Sequence, residues 1–332
     1  MGGAFLAISN DANALAYNPA GLVYAPQTWM AEFSLQNPFA AGLPFNESLR
    51  NERALTVSSF GLVHNHLRRP NQTRPVLVWG DMNHSAPAQT PSAPASVNTY
   101  SLGLAGSVFN SGWLNHFAVH ASFSKGFWEK AEADPRTNHF APRVALSATA
   151  KFLGLQYDGK IVQDAEVNSE EERAAIAAFF DEHQRSVWGF GLDVGFMAEL
   201  HARAHVAMSW NNLIPPNVAL AENLDTPRSV RGGVALLLHE ERQWLLAMDY
   251  EHSAAFPKQR FYLGMEGSVL KSHPQTFRLR AGVNRNWLAT GFMLAKPGLA
   301  ELHYAFMLPT LFSEDRPEGF FQHRFSLSFT KK

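Results

Sequence analysis

Trp188, Phe190, Leu192, Val194 and Phe196 alternate with Gly189, Gly191, Asp193, Gly195 and Met197. Successive strand side chains point to opposite faces, so this stretch has one wholly apolar face and one small or polar face. The same period starts at Thr28, with Trp29, Ala31, Phe33 and Leu35 on one side and Thr28, Met30, Glu32 and Ser34 on the other. No run approaches the roughly 18 consecutive apolar residues of a membrane-spanning helix. No basic stretch followed by an apolar core marks a signal peptide. A chain built on this period is a β protein. If it crosses a membrane it does so as a closed barrel, whose strands need only about 9–11 residues each.

Fifteen segments read as strands. They begin with 28–35, 55–65, 75–83, 99–109, 114–127, 143–156 and 188–196. They continue with 201–210, 229–238, 243–251, 259–269, 277–284, 287–296, 300–308 and 322–330. Asn110-Ser111-Gly112, Asn284-Arg285-Asn286 and Lys296-Pro297-Gly298 are turn signals between them. Counting back from the C-terminus, short turns near 200, 240 and 297 fall on one side and the longer links 211–228 and 309–321 on the other. That is the loop asymmetry of outer-membrane barrels. Counting forward, the alternation fails between 153 and 187. With both termini on one side the number must be even, and fourteen is the expectation. Ser169–His183 reads as a short rim helix, with Ser169 and Glu172 as a capping box and Ile176, Phe179 and Phe180 on one face.

Composition narrows the function classes. Only 17% of residues are charged, against roughly 25% in typical soluble domains. The net charge of −1 provides no basic field for nucleic acid. Without cysteine there is no disulfide framework, thiolate metal site or cysteine nucleophile. His64 and His66 share a strand face but lack a third ligand, and His116 and His120 lie about 13 Å apart on a strand, too far for one ion. No metal or cofactor site is expected. Asp193, Asp249, Glu251 and Glu266 could form an acid/base set. They read more simply as inward carboxylates held by Arg231, Arg278, Arg280 and Arg324, so no enzyme is expected. Asn46-Glu47-Ser48 and Asn71-Gln72-Thr73 are formal glycosylation sequons, which would carry no meaning if the chain is a bacterial outer-membrane protein.

Alternation alone also fits a soluble β-sandwich. Three features favour lipid. Trp29, Trp113, Trp128, Trp188, Trp210, Trp244 and Trp287 lie near strand ends, where interfacial girdles place large rings, and Trp79 is the exception. The face opposite the apolar one is rich in Gly, Ala, Ser and charge. If the hairpins are in register, Arg231 faces Glu251 and Glu266 faces Arg280, both pairs turned away from the apolar stripe. The stripe Trp188, Phe190, Leu192, Val194 and Phe196 would then face lipid.

Residues 1–26 do not alternate. They run Gly2-Gly3-Ala4-Phe5-Leu6-Ala7-Ile8-Ser9-Asn10-Asp11-Ala12-Asn13-Ala14-Leu15-Ala16-Tyr17-Asn18-Pro19-Ala20-Gly21-Leu22 after Met1. Asn18 can bond backbone in a turn, Pro19 fixes its own φ, and Gly2, Gly3 and Gly21 permit close backbone approach. On the residues alone, this segment reads first as a free terminus. The string resembles the opening of mature outer-membrane barrels of the FadL superfamily. That group includes long-chain fatty-acid and aromatic-hydrocarbon transporters and PorV/PorQ-like proteins, some serving type IX secretion. Asn18-Pro19-Ala20 matches the family's NPA box. The run His323-Arg324-Phe325-Ser326-Leu327-Ser328-Phe329, with Leu192-Asp193-Val194-Gly195 and Arg280-Ala281-Gly282-Val283-Asn284, is similar to the PorV/PorQ-like branch.

The resemblance implies an all-β, fourteen-stranded antiparallel transmembrane barrel over 27–332, with residues 1–26 as a plug in its lumen. Asn18, Pro19, Ala20 and Gly21 would be the plug motif, with the first three its structural hinge. It implies a bacterial outer-membrane location and a longer precursor carrying a signal peptide. The expected partners are membrane lipid and a hydrophobic small molecule that is bound or passed. In a second reading the partner is a secretion-system or cell-surface protein, docked on rim loops 38–54, 84–98 and 211–228.

Overall fold

The computed structural model describes residues 4–9, 11–25, 27–40, 56–66, 99–110, 114–128, 143–157, 170–183, 185–201, 203–220, 226–239, 244–254, 256–270, 276–296, 299–310 and 320–331. Fourteen strands form one closed antiparallel barrel. The first seven are β1 (Trp29–Ala40), β2 (Thr56–His66), β3 (Thr99–Asn110), β4 (Leu114–Trp128), β5 (Arg143–Tyr157), β6 (Ser186–His201) and β7 (Ala204–Ile214). The others are β8 (Ser229–His239), β9 (Trp244–Ser253), β10 (Phe256–Ser268), β11 (Phe277–Asn284), β12 (Trp287–Lys296), β13 (Ala300–Pro309) and β14 (Phe320–Lys331). Each strand pairs with its neighbour in sequence, and β1 pairs with β14 from Trp29↔Lys331 to Ala40↔Phe320. Closure removes both edges, so ladder groups are satisfied around the ring. Fourteen of the fifteen expected segments are these strands. The other, 75–83, lies outside the described residues, as do Trp79 and Trp113.

The pleat sorts residues as the period requires. Large apolar side chains project outward and stay exposed: Phe33, Leu62, Leu104, Phe123, Phe152, Phe190, Phe261 and Leu294 are examples. Trp188 is 52% exposed and Phe190 57%, while Leu192, Val194 and Phe196 are half-exposed on the same face. Inward positions are small, polar or ionic and mostly buried, among them Glu32, Ser101, Ser124, Thr149, Lys151, Glu199, Arg231, Asp249 and Glu266. The molecule is therefore inverted relative to a β-sandwich, which would bury the large apolar residues between two sheets.

Strand parity puts the links 41–55, 158–185, 215–228 and 310–319 at one end of the barrel, with the short turns 202–203, 240–243 and 297–299 at the other. The five links named from the sequence fall as expected, although the two-residue links 254–255 and 285–286 share the end of the long ones. The long links 67–98 and 129–142 fall at the short-turn end. Accordingly 84–98, itself outside the described residues, joins β2 to β3 at the end opposite 38–54 and 211–228. The three cannot form one rim surface, because an antiparallel meander returns the chain to the same end only after two strands. The expected rim helix is α2 (Glu170–His183), and its Phe180 packs on Tyr157 with ring centroids 5.6 Å apart. Ser169, and with it the capping box, lies outside the described residues.

The β6–β7 ladder is irregular. Leu192 opposes Ile214 but Val194 opposes Trp210, so β7 carries extra residues opposite Asp193. Asn212 takes φ 56° there, a left-handed conformation that asparagine tolerates better than most residues. Beyond it the chain turns into the barrel across Gly189 and Gly191. A Cβ on either would meet Pro216 or Asn217 at 3.0 Å or less.

Candidate functional site

The barrel's core is built around its own N-terminal segment. A 3-10 turn (Leu6–Ile8), the short helix α1 (Ala14–Tyr17) and a second 3-10 turn (Pro19–Tyr24) lie within the ring. Leu6, Ala7, Ile8, Ala20, Val23 and Tyr24 pack on Ala145, Met197, Ala207, Ala235, Leu245 and Ala247 of the inner wall. Ala12, Ala14, Leu15, Leu22 and Ala25 pack on Met30 and Val63. Small wall residues make this possible, since a Cβ on Gly103 would collide with Leu15.

Asn18 joins the segment to itself and to the wall. Its backbone N–H donates to Ala14 O (2.8 Å) and ends α1. Its Oδ1 accepts from the Ala20 N–H at 3.3 Å, and Pro19 begins the next turn. Its Nδ2 donates to Phe196 O at 3.0 Å, and Ser124 Oγ donates to Pro19 O at 2.7 Å. Gly195 lies behind it, where a Cβ would come within 2.5 Å of Ser147 Oγ. Gly21 N–H donates to Asn18 O at 3.1 Å. Asn18, Pro19, Ala20 and Gly21 are all buried, and the string is pinned to β4 and β6. Lower down, Tyr24 OH donates to Arg143 O at 2.8 Å, and burial pushes this phenol up from its usual range.

The other fixed point is Asp249, which is fully buried. Its Oδ2 accepts from the Phe5 N–H (2.9 Å), the Leu6 N–H (3.0 Å) and Arg231 (2.6 Å). The Arg231 guanidinium also lies 4.3 Å from the Tyr262 ring centroid and 5.4 Å from that of Tyr17. Phe5 and Tyr17 meet edge to face at 5.4 Å. Half-buried Phe5, Tyr17 and Tyr262, with exposed Ala16, thus make an aromatic surface around a held cation.

Arg231 and Glu251 are direct cross-strand partners, as the hairpin register requires. Yet Arg231 reaches the diagonal Asp249, and Glu251 accepts from Tyr262 OH at 2.5 Å. Glu266 and Arg280 are both opposite and joined, at 2.5 Å, and Arg278 adds a second contact to Glu266 at 2.8 Å. Arg280 also bonds His303 Nδ1 at 2.8 Å, and His303 Nε2 lies 3.4 Å from Glu301. Asp193 pairs with Lys151 at 2.8 Å and accepts from the Asn212 N–H at 2.6 Å. Arg324 donates to Asn13 Oδ1 (2.9 Å), and Asn13 Nδ2 donates to Glu32 Oε2 (2.9 Å). Asp193 and Glu266 therefore each sit in a network of their own, while Asp249 and Glu251 are joined through Arg231 and Tyr262.

Lys151, Glu32, Asp11, Tyr17 and Tyr262 were not singled out from sequence. Phase could have flagged two of them: Glu32 and Lys151 alternate with outward Phe33 and Phe152. His64 stacks near Trp29 on the outer face at 4.1 Å. His120 bonds the Leu15 backbone. Among the described residues, no three His, Asp or Glu side chains gather as metal ligands would.

The sequence matches no protein-family model and no curated protein. Solved structures match in fold along nearly the whole length. The toluene transporter TbuX of Ralstonia pickettii superposes with a TM-score of 0.57 at 11% identity, over 100% of this chain and 96% of that one. The CymD monoaromatic hydrocarbon channel gives 0.56 at 15% identity, over 98% and 94%. The toluene transporter TodX of Pseudomonas putida gives 0.52 at 13% identity, over 100% and 96%. At these identities the likeness is one of fold.

Proposed function

We propose that this chain is an outer-membrane barrel of the FadL superfamily that binds apolar solutes in its lumen and passes them across the membrane, with residues 1–26 as its plug. One observation carries this reading: a closed barrel with large apolar groups outside, and ionic networks and a bonded N-terminal segment inside. An apolar surface that encircles a protein is far larger than water-soluble monomers expose. The stripe Trp188, Phe190, Leu192, Val194 and Phe196 is part of that surface and faces lipid. The fold's likeness to hydrocarbon channels supports the solute class.

The solute is held against the aromatic surface of Phe5, Tyr17 and Tyr262. Rings give an apolar guest dispersion contact, and the Arg231 cation over Tyr262 and Tyr17 suits guests with a π-face. The plug moves only if the guest binds the displaced state more tightly than the seated one. Proteoliposomes should take up a labelled monoaromatic solute, and Tyr17→Ala should lower that uptake. Deleting 1–26 should add leakage of small polar solutes. Equal fluxes with and without the segment, and no bound solute, would refute the reading.

The membrane assignment has its own test. Leu263 projects outward in mid-strand. Arginine there should cost about 2–4 kcal/mol if it meets hydrocarbon near mid-bilayer. Urea-folding titrations in vesicles should show that loss for Leu263→Arg. An unchanged midpoint, or a protein that stays dispersed without detergent, argues for water on that face.

A finer placement in the PorV/PorQ-like branch, with a secretion-system or cell-surface client, rests on the C-terminal run His323–Phe329 of the sequence. A large stoichiometric partner recovered from outer membranes would support it.

A further inference from the structure

The inner wall already binds one phenol. Tyr262 OH donates to Glu251 Oε2 at 2.5 Å, and the Arg231 guanidinium lies 4.3 Å from the centre of the Tyr262 ring. Glu251 is half-buried and stands between two arginines in the ladders, opposite Arg231 on β8 and opposite Arg260 on β10. An ionised carboxylate only accepts hydrogen bonds, and its two oxygens have lone pairs for several donors. The Tyr262 hydroxyl therefore does not exhaust Glu251.

The floor beside this wall is aromatic and accessible. The Tyr17 ring lies 5.4 Å from the same Arg231 guanidinium, and Phe5 meets Tyr17 edge to face. Among the described residues of the N-terminal segment, Ala16 alone is exposed, and Tyr17 and Phe5 are half-buried. A ring standing on Ala16 against Tyr17 thus has a cation beside it and, on the next strand over from that cation, a carboxylate.

We infer that the guest this lumen selects is a phenol, an aromatic ring bearing a hydroxyl, rather than a plain hydrocarbon. The guest's ring lies over Ala16 against Tyr17, and its hydroxyl donates to Glu251, repeating the bond that Tyr262 makes. Glu251 is then a specificity-determining residue. The inference rests on the transport reading, which brings an aromatic guest to this surface and leaves its substituents open. A bare ring gains the same dispersion and cation contacts, but it shields a carboxylate from water and offers it no donor. Acceptors covered without a partner cost more than the bond that is missing, so the site discriminates against the hydrocarbon as well as for the phenol.

Toluene and p-cresol test this, since they differ only in the hydroxyl and p-cresol is the tyrosine side chain itself. Equilibrium dialysis of each against the purified full chain in micelles, with empty micelles subtracted, gives a cresol-to-toluene affinity ratio. A general loosening of the fold weakens both solutes and leaves the ratio in place. Glu251→Gln keeps an acceptor but loses the charge, and should lower the ratio by roughly tenfold. Tyr262→Phe keeps the ring but removes the protein's own hydroxyl from the same carboxylate, and should raise the ratio severalfold. Movement in opposite directions is what a purely structural role for the two residues would not produce. If Glu251→Gln fails to fold, the rise in Tyr262→Phe decides alone. A ratio that stays put in both variants, or falls in Tyr262→Phe, overturns the inference and leaves the transport reading standing. A parent that binds neither solute overturns both.

Discussion

Asp249→Ala should detach the first turn of the N-terminal segment while the barrel stays closed. One carboxylate oxygen holds two successive backbone N–H groups, of Phe5 and Leu6, and the Arg231 guanidinium. Alanine takes the acceptor from both amides and the carboxylate from Arg231, whose side chain lies only partly within reach of water. Breaking a buried charge pair by removing one partner costs about 3–5 kcal/mol. The loss falls on docking of the segment, because the β8–β9–β10 ladders do not use the side chain. Limited proteolysis of the folded protein should then clip residues 4–9 in the variant and spare them in the parent. Asp249→Asn keeps an acceptor but loses the charge and should be intermediate. Equal resistance in all three proteins would place the anchor elsewhere.

Gly21→Ala should be nearly as damaging, although a glycine-to-alanine change on ordinary backbone stabilises by about 0.4–1 kcal/mol through the unfolded chain. A Cβ at Gly21 would run into the Ser9 carbonyl, whose carbon would lie 2.6 Å away. Neither side can yield cheaply. Ser9 is fully buried, with its hydroxyl donating to Phe5 O and Leu6 O, while Gly21 is tied to Asn18 and Pro19 is held by Ser124. Overpacking typically costs about 1–3 kcal/mol, and a backbone clash lies at or above the top of that range. Gly232→Ala is the control, since a Cβ there meets nothing within 4 Å. The expected readout is a lower denaturant midpoint and a protease-sensitive N-terminus for Gly21→Ala alone.

The strands and their faces were legible because the period of two is a local property of the chain, and two cross-strand pairs followed from short hairpins. Trp188 and Phe190 on the outer face, and Glu266 opposite Arg280, follow from counting. Reach was not legible. Register places Arg231 opposite Glu251, but a long guanidinium chooses among several carboxylates, and it joined Asp249 because the Phe5 and Leu6 amides hold that oxygen in place. Nor could Asn18–Phe196 or Phe5–Asp249 be read locally, since they join residues far apart in the chain. The irregularity at Asn212 has no period to betray it. It is accompanied by a tertiary contact, the Asn212 amide donating to the Asp193 carboxylate.

The β1–β14 ladder has a consequence for biogenesis. Trp29 on β1 pairs with Lys331 on β14, so the ring cannot close before all fourteen strands are made. Until then every folding intermediate carries two raw hydrogen-bonding margins and a greasy exterior, a template for self-association in water. Some escort must therefore keep the nascent polypeptide apart from its copies until the final ladder zips, and truncation inside β14 should produce aggregates rather than a narrower barrel.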